Sequence, residues 1–510
     1  MGLRDFALFD VVQRNARLFP ERTAFVLDDA RVTHADYLAR VERLAAGLAG
    51  AGLQGGDRVV VLSQNNLEFV DLYGAVARLG AILVPINWRL SADEVAYIAA
   101  DAAPKIIIAD AEQQKLLHGR HAALPTVERW YGIGGGDAPY APYAALVADA
   151  SAAALPEPHG AADAGFVMFY TAAVGGRPRG ALLSQAGVVA NSAQLLYSWA
   201  LTPDDVNWGV LPLFHLAGLA MFAAAQHAGG ATVIVPKFDA PTALASIRAA
   251  RATLLAEFPP ILSALLDAAE GRAGGAADLG SLRVVTGLDS AETITRFERL
   301  CPDACFWTIF GQSETSGFVT LGRFRDRPGA AGRPGFLNTV AVLDEADRSV
   351  AVGEVGEIAV RGPAVFKGYW NCEADTAFTF RNGWHHTGDH GAFDADGFLW
   401  YKGRSPAKEL IKPGGENVYP AEVEGAIAAH PAIAEVVVFG VPDPQWGEAI
   451  KAVCVLEPGQ TATAETVIDF VAGRIARYKR PKYVAFVAAL PKTAAGAIDR
   501  AKVKELHGSA

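Results

Sequence analysis

Cysteine is scarce in this chain, with four in 510 residues, at 301, 305, 372 and 454. So few, spread so widely, exclude a disulfide scaffold of the kind that holds small secreted domains together. Cys301 and Cys305 have the spacing of half a metal clip, but no second pair and no nearby histidine completes it. Long apolar runs are also missing. The most apolar long window, Val70 to Ile86, is interrupted by charge and glycine, so no membrane-spanning helix is expected. Positive charge is in deficit: 45 Lys and Arg stand against 55 Asp and Glu, a net charge of −10, which argues against a general nucleic-acid binder. The opening residues Met1-Gly2-Leu3-Arg4-Asp5 lack the charged-then-apolar pattern of a secretory leader, so a cytoplasmic location is expected.

What is present is the composition of a soluble globular protein, 51% hydrophobic and 20% charged. The length exceeds what one hydrophobic core supports, so at least two domains are expected. Over the first hundred residues helical and strand patterns alternate. Helices are predicted at Leu38 to Leu53, Leu67 to Leu79 and Ser91 to Asp101. Strands are predicted at Arg58 to Ser63, Ala81 to Ile86 and Lys105 to Ala109. That alternation predicts an α/β fold, a large N-terminal domain of βαβ-built sheets with a small β-rich section at its end. After Trp400 the character changes, and a compact α+β unit follows. The expected domains are 1–403 and a mobile C-terminal domain, 404–510, with a hinge near 402–405. From Lys402 to Ala510 fourteen Lys and Arg outnumber twelve Asp and Glu, which suits a polyphosphate ligand.

The stretch Tyr170 to Gln185, YTAAVGGRPRGALLSQ, follows an apolar strand pattern and precedes a helical one. A glycine-rich loop with a cation lets backbone N–H groups converge on an anion while the side chain neutralises charge. No Lys-Ser or Lys-Thr follows its glycines, so it is not a Walker loop. It resembles instead the signature Y-T-S-G-T-T-G-x-P-K-G of the adenylate-forming (AMP-binding) enzymes, the group of acyl-CoA synthetases, peptide-synthetase adenylation domains and luciferases. Further segments match that family in its order: Pro212-Leu213-Phe214-His215, Phe310-Gly311-Gln312-Ser313-Glu314, Thr387-Gly388-Asp389, Gly403-Arg404, and Gly414-Gly415-Glu416-Asn417-Val418-Tyr419-Pro420. The resemblance runs from about Leu8 to Leu506. Pro442 to Glu448 and Tyr478-Lys479-Arg480-Pro481-Lys482 look like the C-terminal segments of acyl- and aryl-CoA ligases.

The resemblance implies an ATP-dependent acid–CoA ligase, in which a carboxylate attacks the ATP α-phosphate and a thiol then displaces AMP. ATP, Mg²⁺ and coenzyme A are the implied cofactors and substrates. By position in these motifs, Thr171, Arg179, His215, Ser313, Glu314 and Arg404 are the implied catalytic residues, with Glu314 the magnesium ligand. Thr171, Gly175, Gly176, Gly287, Leu288, Phe310, Gly311, Ser313, Asp389 and Arg404 would hold the nucleotide. Gly415, Trp446, Tyr478, Arg480 and Lys482 would hold coenzyme A. A lone histidine is more often a satisfied structural residue, but the motif around His215 implies that it borders the carboxylate site. The expected acyl pocket, bounded by Leu213 to Ala220, Val285 to Leu288 and Thr308 to Gly311, is largely apolar and suits a medium fatty or aromatic acid. A homodimer is left open.

Two departures from the family pattern stand out. Ala172, Ala173, Val174 and Gly175 replace S-G-T-T, removing three hydroxyls, each worth about 0.5–1.5 kcal/mol as a hydrogen bond. The ending P-K-T-x-x-G-K-I-x-R appears as Pro491-Lys492-Thr493-Ala494-Ala495-Gly496-Ala497-Ile498-Asp499-Arg500, so alanine stands where the family has its adenylation lysine. Lys492 and Lys502 are the neighbouring candidates to replace it. These losses motivate two alternatives: slow adenylation, or a catalytically impaired homologue that binds nucleotide or acyl-CoA. A stand-alone adenylation enzyme loading a carrier protein is a third reading.

Overall fold

The structure is a computed structural model, and it describes residues 5–148, 150, 155, 162–171, 177–271, 275–404, 410–493 and 498–509. Gly175, Gly176 and Ala497 therefore lie outside the described residues.

Among the described residues the strands form four sheets. In the first, Arg58–Leu62 lies between Ile82–Pro85 and Ile106–Asp110, all parallel. The run Val59 to Leu62 does not alternate with polar residues because both its faces are buried. Val59 and Val61 pack with residues of the helices His34–Gly50 and Leu67–Leu79, whereas Val60 and Leu62 pack with those of Ala92–Ala102. Those helices begin where the sequence provides caps. Thr33, Asn66 and Ser91 accept N–H bonds from Asp36, Phe69 and Glu94. The helix predicted from Leu38 starts four residues earlier, because Thr33 and Asp36 form a capping box.

A second sheet of nine strands carries Val206–Gly209, Ala231–Ile234, Leu254–Glu257, Val284–Gly287 and Cys305–Gln312 in parallel, with antiparallel strands at its edges. The strand Thr23–Leu27 joins this sheet by pairing in parallel with Ala231–Ile234. A four-stranded antiparallel sheet ends with His385–Phe393 and Leu399–Arg404. The small C-terminal domain has its own three-stranded sheet and two apolar clusters, one around Val423, Ile427 and Val467, the other around Val437, Phe439 and Val503.

The stretch around Tyr170 differs from the expected strand–loop–helix. Gly165–Thr171 and Arg179–Ser184 are antiparallel partners, and the helix Gln185–Trp199 begins only after the second strand. The two strands on either side of the glycine-rich segment thus pair with each other, and their register sets Thr171 opposite Arg179.

The two domains meet at a buried charge cluster. Lys479 of the small domain reaches Glu94, at the start of the helix Ala92–Ala102, and Glu422 of its own domain at 2.6 Å. Glu94 also accepts the Ala476 N–H, at 3.1 Å. Removing the ammonium leaves two buried carboxylates without a counter-charge, a loss of about 3–5 kcal/mol for a broken buried pair. Lys479→Met should loosen the seam, and faster hydrogen exchange at the Ile411 and Val418 amides would report it; unchanged exchange would count against the cluster as a latch.

Within the large domain His227 is partly buried beside Ser192, whose hydroxyl lies 2.8 Å from its Nδ1. Burial and the charge of Arg14 bring its pKa down to about 4 from 6.5. Its neutral form therefore favours the fold above pH 6.5. That contribution is lost as pH falls towards 4, by as much as about 3 kcal/mol. His227→Gln should flatten the decline in unfolding free energy between pH 6.5 and 4; an unaltered slope would assign the decline to other groups.

Candidate active site between the two domains

A cavity of about 1060 Å³ opens at the C-terminal ends of the parallel strands and is closed from the other side by the small domain. Ligands in open α/β sheets collect at such strand ends. Its wall includes Thr171, Arg179, His215, Gly287, Leu288, Phe310, Gly311, Ser313, Glu314, Asp389 and Arg404, together with Gly415 and Trp446. The sequence motifs, up to 275 residues apart, converge there.

Glu314 owes its place to a tight turn. After the strand Cys305–Gln312, the Gln312 N–H donates to Thr315 Oγ1 at 3.0 Å, and the Thr315 hydroxyl donates to the Gly317 carbonyl at 2.8 Å. The Glu314 Oε1 accepts hydroxyls from Tyr369 at 2.9 Å and Thr171 at 3.3 Å. Arg179 lies 4.0 Å over the Tyr369 ring and pairs with Asp375 at 2.6 Å. The charge that replaces the family lysine is therefore fixed by a ring and a carboxylate.

On the opposite wall, the register of the last two strands of the four-stranded sheet puts Asp389 across from Arg404. Their ion pair is 2.7 Å long and the Asp389 side chain is 1% exposed. Tyr401 donates to Asp389 at 3.0 Å, and Gln312 Nε2 bonds its other oxygen. Burial alone would lower the Arg404 pKa, but Asp389, Tyr419, Tyr401 and Glu314 outweigh it and raise it. Behind Asp389, Glu357 accepts the Gly388 N–H and contacts His386, both at 2.9 Å. Burial would raise the Glu357 carboxyl, yet His386, the Gly388 N–H and Arg381 hold it at about 2.

Phe310 and Tyr401 form an aromatic wall, their ring centroids 6.1 Å apart. Gly287 faces the same space with φ +150°, and an added Cβ would lie 1.9 Å from the Glu257 carbonyl oxygen, so only glycine fits. The apolar part of the wall includes Val210, Leu211, Leu216, Ala217 and Ile309. Leu213 and Val285, expected there, are packed into the cores behind it.

From the small domain, Gly415 approaches Phe258 so closely that an added Cβ would sit 2.7 Å from its ring. Its neighbour Glu416 reaches across the seam to His215 Nε2 at 3.1 Å, Asn87 at 3.1 Å and Arg89 at 3.3 Å. Burial would raise the Glu416 carboxyl, but His215, Arg89 and Asn87 bring it below the usual range. Trp446, partly exposed, lines the channel beside Pro259 and Pro260. Tyr478, Arg480 and Lys482 are not brought to the cavity. Tyr478 packs against the small domain's own core, Arg480 is exposed, and Lys482 pairs with Asp443 at 2.5 Å.

The residue reading missed Tyr369, Gln312, Tyr401, Lys412 and Tyr419 as members of this wall. Gln312 and Tyr419 stand inside motifs already recognised, next to assigned positions. Tyr369 carries no local signal, because its link to Glu314 is made only by the hairpin pairing of Gly368–Tyr369 with Arg179–Ser184. Among the described residues no three His, Cys, Asp or Glu cluster for a metal ion.

Comparison with known proteins agrees with this geometry. The "AMP-binding enzyme" family profile matches residues 12–370, and that of the "AMP-binding enzyme C-terminal domain" matches residues 422–497. The indoleacetate–CoA ligase of Aromatoleum aromaticum is 34% identical over 98% of each chain. A solved putative long-chain-fatty-acid CoA ligase from Rhodopseudomonas palustris is 53% identical, with a TM-score of 0.76, covering 79% of this chain and all of that one. The o-succinylbenzoate CoA synthetase of Bacillus subtilis is 27% identical. As a double mutant bound to a product analogue it covers 98% of each chain with a TM-score of 0.86; with its acyl-adenylate intermediate it covers all of both chains with a TM-score of 0.71. This chain belongs to the AMP-binding enzyme family.

Proposed function

We propose that the protein is an ATP-dependent acid–CoA ligase that works through an acyl-adenylate. A carboxylate oxygen of the acid bonds to the α-phosphorus of ATP, and the bond to the bridging oxygen breaks, releasing pyrophosphate. The thiol of coenzyme A then attacks the acyl carbon, and AMP leaves. The observation that carries this reading is the convergence on one cavity of Thr171, Ser313, Glu314, Asp389 and Arg404 with Gly415 and Trp446 of the small domain. The relatives' printed activities, CoA ligases for aromatic and fatty acids, agree with it. They give no support to a non-catalytic binder.

The roles follow from charge and shape. The adenine fits between the Phe310 ring and the Gly287–Leu288 edge, and the acceptor oxygens of Asp389 suit the ribose hydroxyls. Thr171, Ser313, Arg179 and Arg404 face the phosphates, where donors fixed in advance stabilise developing charge most effectively. A magnesium ion held by Glu314 and the phosphates would neutralise their charge, and one carboxylate plus substrate oxygens is an ordinary set for that ion. His215 borders the carboxylate, oriented by Glu416. The thiol enters past Gly415 and Trp446, while Arg480 and Lys482 lie on the outer surface for the phosphates of coenzyme A. The apolar wall favours an aromatic or medium fatty acid.

The hinge lies near 402–405, with residues 404–510 turning as a unit. Gly403, with φ +100° and open space around it, supports that position. The orientation seen here, with Gly414 to Tyr419 facing the cavity, corresponds to the thiol-transfer step. The higher TM-score to the product-analogue complex than to the acyl-adenylate complex of the same enzyme favours this assignment.

With Mg-ATP, coenzyme A and a panel of aryl and C6–C16 acids, the purified protein should form AMP and acyl-CoA in equal amounts. Glu314→Gln should lower the rate by about 10²–10³, the loss typical of one transition-state charge contact. Absence of both products across the panel would overturn the ligase reading; acylation of a carrier protein but not of coenzyme A would replace it with the carrier-loading one.

A further inference from the structure

The strand Arg58–Leu62 runs into a short connection, Ser63 to Asn66, at the cavity, and its two asparagines serve different ends. Asn66 caps the helix Leu67–Leu79. Asn65 turns instead to the other large sheet and is only 6% exposed. Its Nδ2 donates to the carbonyls of Leu211 at 3.1 Å and Val235 at 3.2 Å, and its Oδ1 accepts the Leu213 N–H at 2.8 Å. Leu211 and Leu213 follow the strand Val206–Gly209, and Val235 follows Ala231–Ile234. Two carbonyls and one N–H meeting at a point need two donors and an acceptor. A primary amide supplies that set, and a hydroxyl or an ionised carboxylate does not. One side chain thus ties the strand ends of both large sheets together on the cavity wall.

The segment held in this way carries part of the apolar wall. Leu211 lines the cavity, and Pro212, Leu213 and Phe214 lead into His215, which precedes the helix Leu216–Ala228 as its N-cap. Leu213 is held at both its main-chain groups, because the buried Tyr73 donates its hydroxyl to the Leu213 carbonyl at 2.6 Å. The His215 N–H donates to the Pro212 carbonyl at 3.0 Å, and Gly218 packs so closely that an added Cβ would lie 2.2 Å from that oxygen. A void of about 10 Å³ is lined by Leu211, Leu213 and Met221 together with Asn65. Packing along the segment is therefore incomplete, and the hydrogen bonds from Asn65 and Tyr73 set its position. All of these groups belong to the large domain, and none of these bonds involves the small one.

Resting on the acid–CoA ligase reading, we propose that Asn65 is a positioning residue of the acyl site. Its amide fixes the segment 211–215, and with it the place of His215 beside the acid's carboxylate and the shape of the apolar wall. Asn65 takes no part in making or breaking bonds. It acts through the main chain of Leu211 and Leu213, so its influence falls on the affinity for the acid and the choice among acids. The groups proposed for the nucleotide, Phe310, Asp389 and the Gly287–Leu288 edge, stand on other strands and are left in place. A displacement of about 1 Å in a positioned group is enough to cost a large factor in rate.

The test compares the wild type with Asn65→Leu, Asn65→Asp and Tyr73→Phe. Acyl-CoA formation gives kcat and the KM for each acid of the panel, equilibrium binding of Mg-ATP without acid gives its Kd, and thermal unfolding reports the fold. Wild-type turnover decides the ligase reading by itself, and the ratios among variants decide the role of Asn65. Asn65→Leu keeps the size of the side chain and removes all three bonds. It should raise the KM for the preferred acid about tenfold or more, with the ATP Kd within about twofold of the wild type and a narrower preference among acids. In Asn65→Asp, burial against two carbonyls favours the protonated carboxyl, which still accepts from Leu213 and donates to one carbonyl. Its acid KM should lie between those of the wild type and Asn65→Leu. Tyr73→Phe removes one bond to the same segment and should show the same split more weakly; with Asn65→Asp it carries the test if Asn65→Leu does not fold. An unchanged acid KM in the folded Asn65 variants would overturn the proposal. So would a parallel loss of acid and ATP binding, which would make Asn65 a general structural contact.

Discussion

The ion pair between Asp389 and Arg404 is the contact on which the arrangement of this protein depends. Asp389 is buried, and its charge is stabilised by Arg404, Tyr401 and Gln312 together. Arg404 is the last residue of the four-stranded sheet, so the pair fixes the end of that sheet ahead of the C-terminal part of the chain. It also sits on the wall of the cavity, where the same charges face the enclosed space. A single electrostatic contact thus ties the large domain's sheet, the start of the small domain and the ligand space to one another.

A second consequence concerns the seam. Beside the approach of Gly415 to Phe258, the small domain closes the cavity through charged contacts: Lys479 with Glu94, and Glu416 with His215, Asn87 and Arg89. Each places a buried charge against a partner on the other domain. Such pairs would cost little to exchange for water-solvated charges if the domain turned as proposed, whereas a packed apolar interface would resist opening. The apolar clusters of the small domain are internal to it, so its core does not depend on the contact with the large domain.

Much of this was legible in the residues, for local reasons. The helix Leu67–Leu79 falls where it was predicted because Asn66 caps its start and Gly80, at φ +66°, ends it. The family motifs marked Thr171, Glu314, Asp389 and Arg404, and the structure brings them to one cavity. What escaped was non-local. The strand Thr23–Leu27 finds its partner some two hundred residues on, at Ala231–Ile234, and no local pattern encodes that pairing. Tyr369 reaches Glu314 only because a two-residue strand pairs beside the hairpin. Lys412 likewise reaches the cavity wall only through the packing of the small domain on the large one.

The central claim is that this cavity joins a carboxylate to the α-phosphate of ATP. Acid-dependent exchange of labelled pyrophosphate into ATP, measured without coenzyme A, tests it most directly, because only a reversible adenylate moves the label. The account predicts exchange with an aromatic or medium-chain acid and none without the acid. Acyl-CoA formation with no such exchange, accompanied by release of ADP and phosphate in place of AMP and pyrophosphate, would contradict it.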